Sequence, residues 1–181
     1  MGKGIVDQLK QEYAIDDQWL SYELHPETPS AGMLLSERFK GYDLSSLYDQ
    51  LRFRGKEVGV TFGNHKLLSN SRSALMASEY ARDMGLHNSF HENIFYAYFT
   101  EGLDIGHPDT IAAVAGKSGL NERETLSAVI EGRYESRLKE ARREGQLMGL
   151  TGVPLFIIEN KYKIVGAQPM AVFRGILDKF K

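Results

Sequence analysis

The first constraint on chemistry in this sequence is a side chain it lacks: none of its 181 residues is cysteine. Residues 1–181 can therefore supply no disulfide, no thiolate metal site and no cysteine nucleophile. Histidine occurs at positions 25, 65, 87, 91 and 107. Only His87 and His91 are four apart, the spacing that puts two rings on one helix face. They lack the glutamate of an HExxH pattern and a third ligand, so no metal is expected. "GKSG" at 116–119 lacks the upstream glycines of a phosphate-binding loop and reads as a helix end. The most suggestive stretch is "TGVPLFIIENKYKIVGAQP", residues 151–169, where Pro154 stands at the mouth of an apolar run. Proline has no N–H to give to a ladder, so it is confined to strand starts, edges and bulges. An X–Pro bond is ordinarily trans, and a cis bond persists where it serves a purpose. Asn70 reads as a helix N-cap. Gln168 reads as a surface residue at the start of the last helix, whose N-terminus could take a ligand carboxylate.

The periodicities around these residues predict what must position them. Ile5, Val6 and Leu9 share one face of a short helix over 4–13, almost at the start of the chain. "QWLSYEL", 18–24, alternates Trp19, Ser21 and Glu23 against Leu20, Tyr22 and Leu24 and reads as a strand. "HPETPSAG" ends it. A helix over 44–59 turns Leu44, Leu47, Tyr48 and Leu51 inward and stops at Gly55 or Gly59. Residues 70–85, 87–102 and 107–119 read as three helices. The second carries Phe90, Ile94, Phe95, Tyr98 and Phe99 as its apolar face. Residues 121–149 hold two more helices that meet near Gly132. A hairpin over 154–159 and 162–166 follows, then a helix with Val172, Phe173, Ile176, Leu177 and Phe180 inward.

The chain is 42% hydrophobic with a formal net charge of −2, enough apolar material for one sizeable core. Charges of both signs are interspersed. That pattern argues against nucleic acid or an anionic membrane as a partner. No apolar run approaches the length of a membrane span. "MGKGIVDQLKQEY" has no apolar signal core, and Val6 stands where a myristoylation signal needs Ser or Thr. A cytoplasmic location is the expectation.

Helix, strand, helical block, hairpin and helix make an α/β order. The closing hairpin and helix are half of a thioredoxin-type fold. The chain resembles the DsbA-like thioredoxin family in its FrnE-type branch, which neighbours the 2-hydroxychromene-2-carboxylate isomerases and kappa-class glutathione transferases. The resemblance rests on "GKGIVDQL", "WLSYELHPETPSAG", "NSRSALMASEYARDMG", "FHENIFYAYFTEGLDI" and "GLTGVPLFIIENKYKIVGAQP". It implies an incomplete thioredoxin-like domain over 1–60 and 150–181 and a helical insertion over 70–149. It also implies a cis bond before Pro154. Gly152, Val153 and Pro154 would then form a substrate edge, with Val153 offering its backbone to a bound peptide or glutathione as an added strand. Asn70 and Gln168 are the further candidate contacts. Glutathione is the only small ligand implied, and no cofactor. Peptide or protein disulfides are the implied partners.

The sequence departs from the family where the chemistry lies. Family members carry a first strand ending in Cys-Pro-X-Cys, then a Gly-Lys or Gly-Arg pair opening helix 1. Gly2-Lys3 looks like that pair, so the cysteines would precede Met1. Either Met1 is internal to a longer thiol–disulfide oxidoreductase, or the chain is whole and keeps only a binding surface. The first reading is preferred. In this fold the absent strand lies between 18–24 and 154–159, and omitting it leaves two rows of ladder groups open. A second chain could fill that slot, which makes a homodimer an expectation. A glutathione-dependent isomerase or transferase is the other enzymatic reading, with serine in place of the first cysteine.

Overall fold

The computed structural model describes all residues, 1–181. Helix α1 (Gly2–Leu9) opens the chain and buries Ile5 and Leu9. A two-residue strand β1 (Met33–Leu34) and a single turn α2 (Leu35–Arg38) precede α3 (Leu44–Glu57). Strand β2 (Leu67–Leu68) leads into α4 (Arg72–Asp83) and α5 (His87–Phe95). A π-helical turn over Tyr96–Thr100 continues α5. Helices α6 (Pro108–Lys117), α7 (Glu122–Ile130) and α8 (Glu135–Leu147) complete the helical block. Strands β3 (Leu155–Ile158) and β4 (Tyr162–Val165), then α9 (Met170–Leu177) and a 3-10 turn to Phe180, close the chain.

The helix ends follow local chemistry. Asp43 accepts from the N–H groups of Ser45 and Ser46 at the start of α3, and Asn121 accepts from Glu124 at the start of α7. Gly85 and Gly132 adopt positive φ where α4 and α7 stop. The β3–β4 connection has three residues, 159–161; Glu159 and Asn160 are both at positive φ, and the Lys161 N–H donates to the Ile158 carbonyl at 3.0 Å. Type I′ geometry of this kind matches the twist of a two-stranded ladder. Leu155 pairs with Val165 and Ile158 with Tyr162.

Several expectations need correction. Residues 18–24 form no strand. The segment 14–24 is extended, with alternating burial, yet no backbone–backbone hydrogen bond involves any of its residues. Its two fully buried residues, Ser21 and Glu23, are polar, and the segment is held by side chains. Ser21 Oγ donates to Glu79 at 2.7 Å, Arg72 donates to Glu23 at 3.1 Å, and Arg82 donates to the Trp19 carbonyl. The segments 18–24 and 154–159 are thus not laddered to each other, and β3 is laddered only to β4. The predicted inner face of α3 is also less covered than periodicity suggests. Leu44, Tyr48 and Leu51 are half-buried and Leu47 is exposed, because they line an open cavity. Phe95, the last residue of α5, is exposed, while Phe90 and Ile94 are buried. Val172 and Phe180 are exposed too; Phe173 is the buried residue of α9, with Ile176 and Leu177 half-buried beside it against the same core. The β1–β2 ladder, Met33 with Leu68 and Leu34 with Leu67, was not foreseen.

Two clusters of buried apolar side chains result. Twelve residues from α4 through α7 form one, around Phe90, Ile111 and Ala77. Ile5, Leu9, Ile164 and Phe173 form the other, between α1, the hairpin and α9.

Candidate functional site

Three elements meet at the start of α1. A Cβ built on Gly2 would stand 3.1 Å from both Cβ and Cγ of Pro154 and 3.4 Å from the Phe156 ring. The first turn of α1 therefore packs directly on the mouth of β3. The Val153–Pro154 peptide bond is cis. The Pro154 carbonyl accepts from the Gly166 N–H at 2.8 Å, which ties the mouth of β3 to the end of β4. Val153 is 52% exposed, and nothing lies within 4 Å of a Cβ built on Gly152. The backbone of Gly152 and Val153 thus borders open space beside the helix N-terminus.

Arg54, near the end of α3, donates to the Ala167 carbonyl at 2.5 Å and so reaches the loop after β4. The Met1 amino group is held below its ordinary value, first by burial and then by the Arg54 charge. A helix N-terminus and a guanidinium together make this a place that favours negative charge. Lys3 pairs with Asp7 at 2.5 Å and with Glu92 at 3.5 Å, linking α1 to α5. Burial alone would lower its pKa, but the two carboxylates prevail and raise it.

Of the residues predicted from sequence, Gly152, Val153, Pro154 and Gln168 are gathered here. Gln168 follows the Gly166 turn, and its side-chain amide donates to the Val165 carbonyl at 2.9 Å. Asn70 is engaged elsewhere. Its amide donates to the Thr28 carbonyl at 2.6 Å and accepts from the Arg72 N–H at 3.0 Å, so it pins the 25–30 turn to the start of α4. Arg54 was not foreseen. It lies 113 residues from Ala167, and a lone arginine in a charged helix carries no local signal. No group of three or more His, Asp or Glu side chains is placed to hold a metal ion, and no helix is long and apolar enough to cross a membrane.

A hairpin and closing helix, packed on a first helix whose N-terminus meets a proline-led strand, and accompanied by a helical block, define a thioredoxin-like fold with a helical insertion. The profile of the DSBA-like thioredoxin domain matches residues 1–178, and the chain belongs to that family. Among curated proteins it is 22% identical over 183 residues to the uncharacterized protein YwbO of Bacillus subtilis, across 100% of this chain and 90% of that protein. Two crystal structures share the fold. One is a probable DsbA oxidoreductase from Streptomyces coelicolor, with a TM-score of 0.78 at 21% identity, covering 87% of this chain and 71% of that one. The other, described as a proposed protein disulfide isomerase, is from Nitrosomonas europaea. It gives a TM-score of 0.70 at 14% identity over 97% of this chain and 87% of that one.

Proposed function

We propose that this chain is the substrate-binding body of a DsbA-family thiol–disulfide oxidoreductase whose cysteine pair is carried by a segment docked at the start of α1. In this reading residues 1–60 and 150–181 are the thioredoxin-like domain and 70–149 the insertion over its cleft. The observation that carries it is the contact of the α1 N-terminus with Pro154 beside the exposed Val153 backbone. A thiolate placed there gains from the helix dipole and from Arg54. A substrate peptide laid along Val153 would present its disulfide to that thiolate. Attack forms a mixed disulfide and expels the other substrate sulfur as a thiolate. The second cysteine then attacks the sulfur of the first, forming the intramolecular disulfide and expelling the remaining substrate sulfur as a thiolate, so the pair ends oxidised and the substrate reduced, or the reverse. The unpaired backbone of 14–24 and the outer edge of β3 supply the groups that an inserted strand would satisfy.

Two measurements test this. Residues 1–181 are expected to match a buffer blank in insulin reduction, because the chain holds no two-electron group; activity in a clean preparation would overturn the assignment. Coding DNA in frame ahead of Met1 should encode a strand ending in Cys-X-X-Cys. A stop codon directly before Met1 would sink the proposal. A serine in the first cysteine position would favour the glutathione-dependent isomerase or transferase reading instead. Sedimentation of the chain at rising concentration distinguishes filling of the slot by a second copy, as a homodimer, from filling by its own strand.

A further inference from the structure

A second opening lies well away from Pro154. A cavity of about 300 Å³ sits between α3, α2, the β1–β2 ladder and the π-turn. That size is at the lower end of small-molecule sites, about 300–1,000 Å³. Leu35, Leu44, Leu51 and Leu68 form its walls, and the part-exposed Phe39 and Leu47 frame its mouth. Arg54, which reaches the Pro154 loop, is seven residues beyond Leu47 on α3, about 10 Å along the helix axis. None of Gly152, Val153, Pro154 or Gln168 lines this cavity.

The one imidazole among these walls is His65, only 8% exposed. Its ring stands between those of Tyr48, Tyr98 and Phe99, at 5.6, 5.1 and 5.9 Å. His65 Nδ1 is sealed from solvent and has no hydrogen-bond partner. Nε2 has no partner in the chain either, but it is not sealed. Both tyrosine hydroxyls are spent as donors: Tyr48 donates to the His65 carbonyl, and Tyr98 donates to the Leu67 carbonyl at 3.1 Å. Burial holds His65 below its ordinary pKa, which favours a neutral ring with a single N–H. Placing that proton on the sealed Nδ1 would bury a donor without a partner, so the Nε2–H tautomer is preferred. An apolar chamber with one uncommitted donor at its wall is the usual design of a site that orients an apolar molecule by a single polar atom.

We propose that this cavity binds an uncharged, largely apolar small molecule bearing one carbonyl, which accepts from His65 Nε2–H while its hydrocarbon part fills the leucine-walled space. This site is independent of thiol chemistry at Pro154 and does not require it. The probes are 2-acetylnaphthalene and its near-isostere 2-ethylnaphthalene, titrated into the chain with its imidazoles ¹⁵N-labelled. The ketone should bind about tenfold more tightly than the hydrocarbon, the effect of one hydrogen bond made in an apolar site. It should also shift the His65 Nε2 resonance of the unaltered protein. In His65→Phe the two probes should bind about equally. Three results would overturn the proposal: neither probe perturbs the cavity side chains at its solubility limit, the ketone binds without moving the His65 signal, or its advantage persists in a folded His65→Phe chain. The resonance shift is read on the unaltered protein, so it decides the matter even if the variant fails to fold.

Discussion

The two cores of this molecule are built differently. The helical core gathers twelve buried residues from four consecutive helices, with Ala74, Ala77 and Ala81 letting α4 approach its neighbours closely around Phe90. The core under the hairpin gathers four, and most of its packing partners, such as Tyr13, Val58 and Phe156, are only partly buried. One is assembled from local, sequential helices. The other depends on elements from both chain ends, and Tyr13 and Ile15, at the start of the segment without ladder partners, pack against it. The site at Pro154 stands on the weaker half. Regions that bind and open are generally drawn from the low-stability end of a structure, and the asymmetry here has a stated cause.

Truncating one buried phenylalanine in each core measures the contrast, and this is the largest effect expected. Phe90 and Phe173 are both essentially sealed, at 0% and 1% exposure. Phe90→Ala should cost about 3–5 kcal/mol, because the close-packed helices around it cannot collapse into the space. Phe173→Ala should cost at least about 1 kcal/mol less, since the part-exposed side chains beside it can move inward. Urea unfolding of the two variants checks this. An equal or larger loss for Phe173→Ala would remove the distinction between the cores.

Acid should probe the seam where the halves meet. His91 on α5 packs against Trp19 at 4.7 Å, its ring tilted, and stacks on His87 at 5.6 Å. Its pKa is lowered to about 4, first by burial, then by the neighbouring His87 and Lys3 charges. The unfolded chain therefore binds a proton near pH 6.5 that the folded chain refuses until about pH 4. Stability is full above pH 6.5 and falls as the pH drops through that window. The loss attributable to His91 is on the order of 3 kcal/mol by pH 4. Measured from pH 7 to 4, the unfolding free energy should fall more shallowly in His91→Phe than in the parent chain. Parallel curves would show that the ring is not sequestered.

Backbone approach gives a smaller effect. A Cβ on Gly4 would stand 2.3 Å from the Val58 carbonyl oxygen and 2.8 Å from Val60 Cγ2, so α1 cannot keep its place against that segment. Gly4→Ala should cost about 2 kcal/mol, overpacking outweighing the gain in helix propensity. Gly145 on α8 would meet the Tyr22 ring at 2.2 Å. That side chain belongs to the unladdered segment and can turn aside, so Gly145→Ala should cost less than Gly4→Ala. Thermal melts of both rank them, and the reverse order would mean that 14–24 is the rigid partner.

What could be read from residues alone divides along the same line. The helical block was legible because apolar periodicity runs through it and glycines such as Gly85 and Gly132 punctuate it. The hairpin was legible from its apolar runs, and Pro154 from the lack of an N–H. The 18–24 segment misled because alternation records burial, not pairing. Its inward residues Ser21 and Glu23 satisfy helix side chains instead of a sheet. The β1–β2 ladder is too short to show a period. The His65 cavity was invisible because its walls come from residues 35–51, 65–68 and 98–99, and only the fold brings them together.

The mildest test asks what holds 14–24 in place. Ser21 Oγ donates to Glu79 Oε1 at 2.7 Å in a buried setting. Glu79 also accepts from Arg82 at 3.3 Å and from Arg137 at 3.5 Å, so its carboxylate stays compensated when the hydroxyl is removed. Ser21→Ala should therefore cost about 1 kcal/mol, the scale of one hydrogen bond, without the larger penalty of an orphaned charge. Because the alanine keeps the extended backbone and its burial, the denaturant slope should not change while the midpoint falls. Docking a strand onto 14–24 should reduce the loss, since ladder bonds would then share the anchoring now done by side chains. A Ser21→Ala chain as stable as its parent would show that the segment is held by packing of Trp19 and Tyr22 alone.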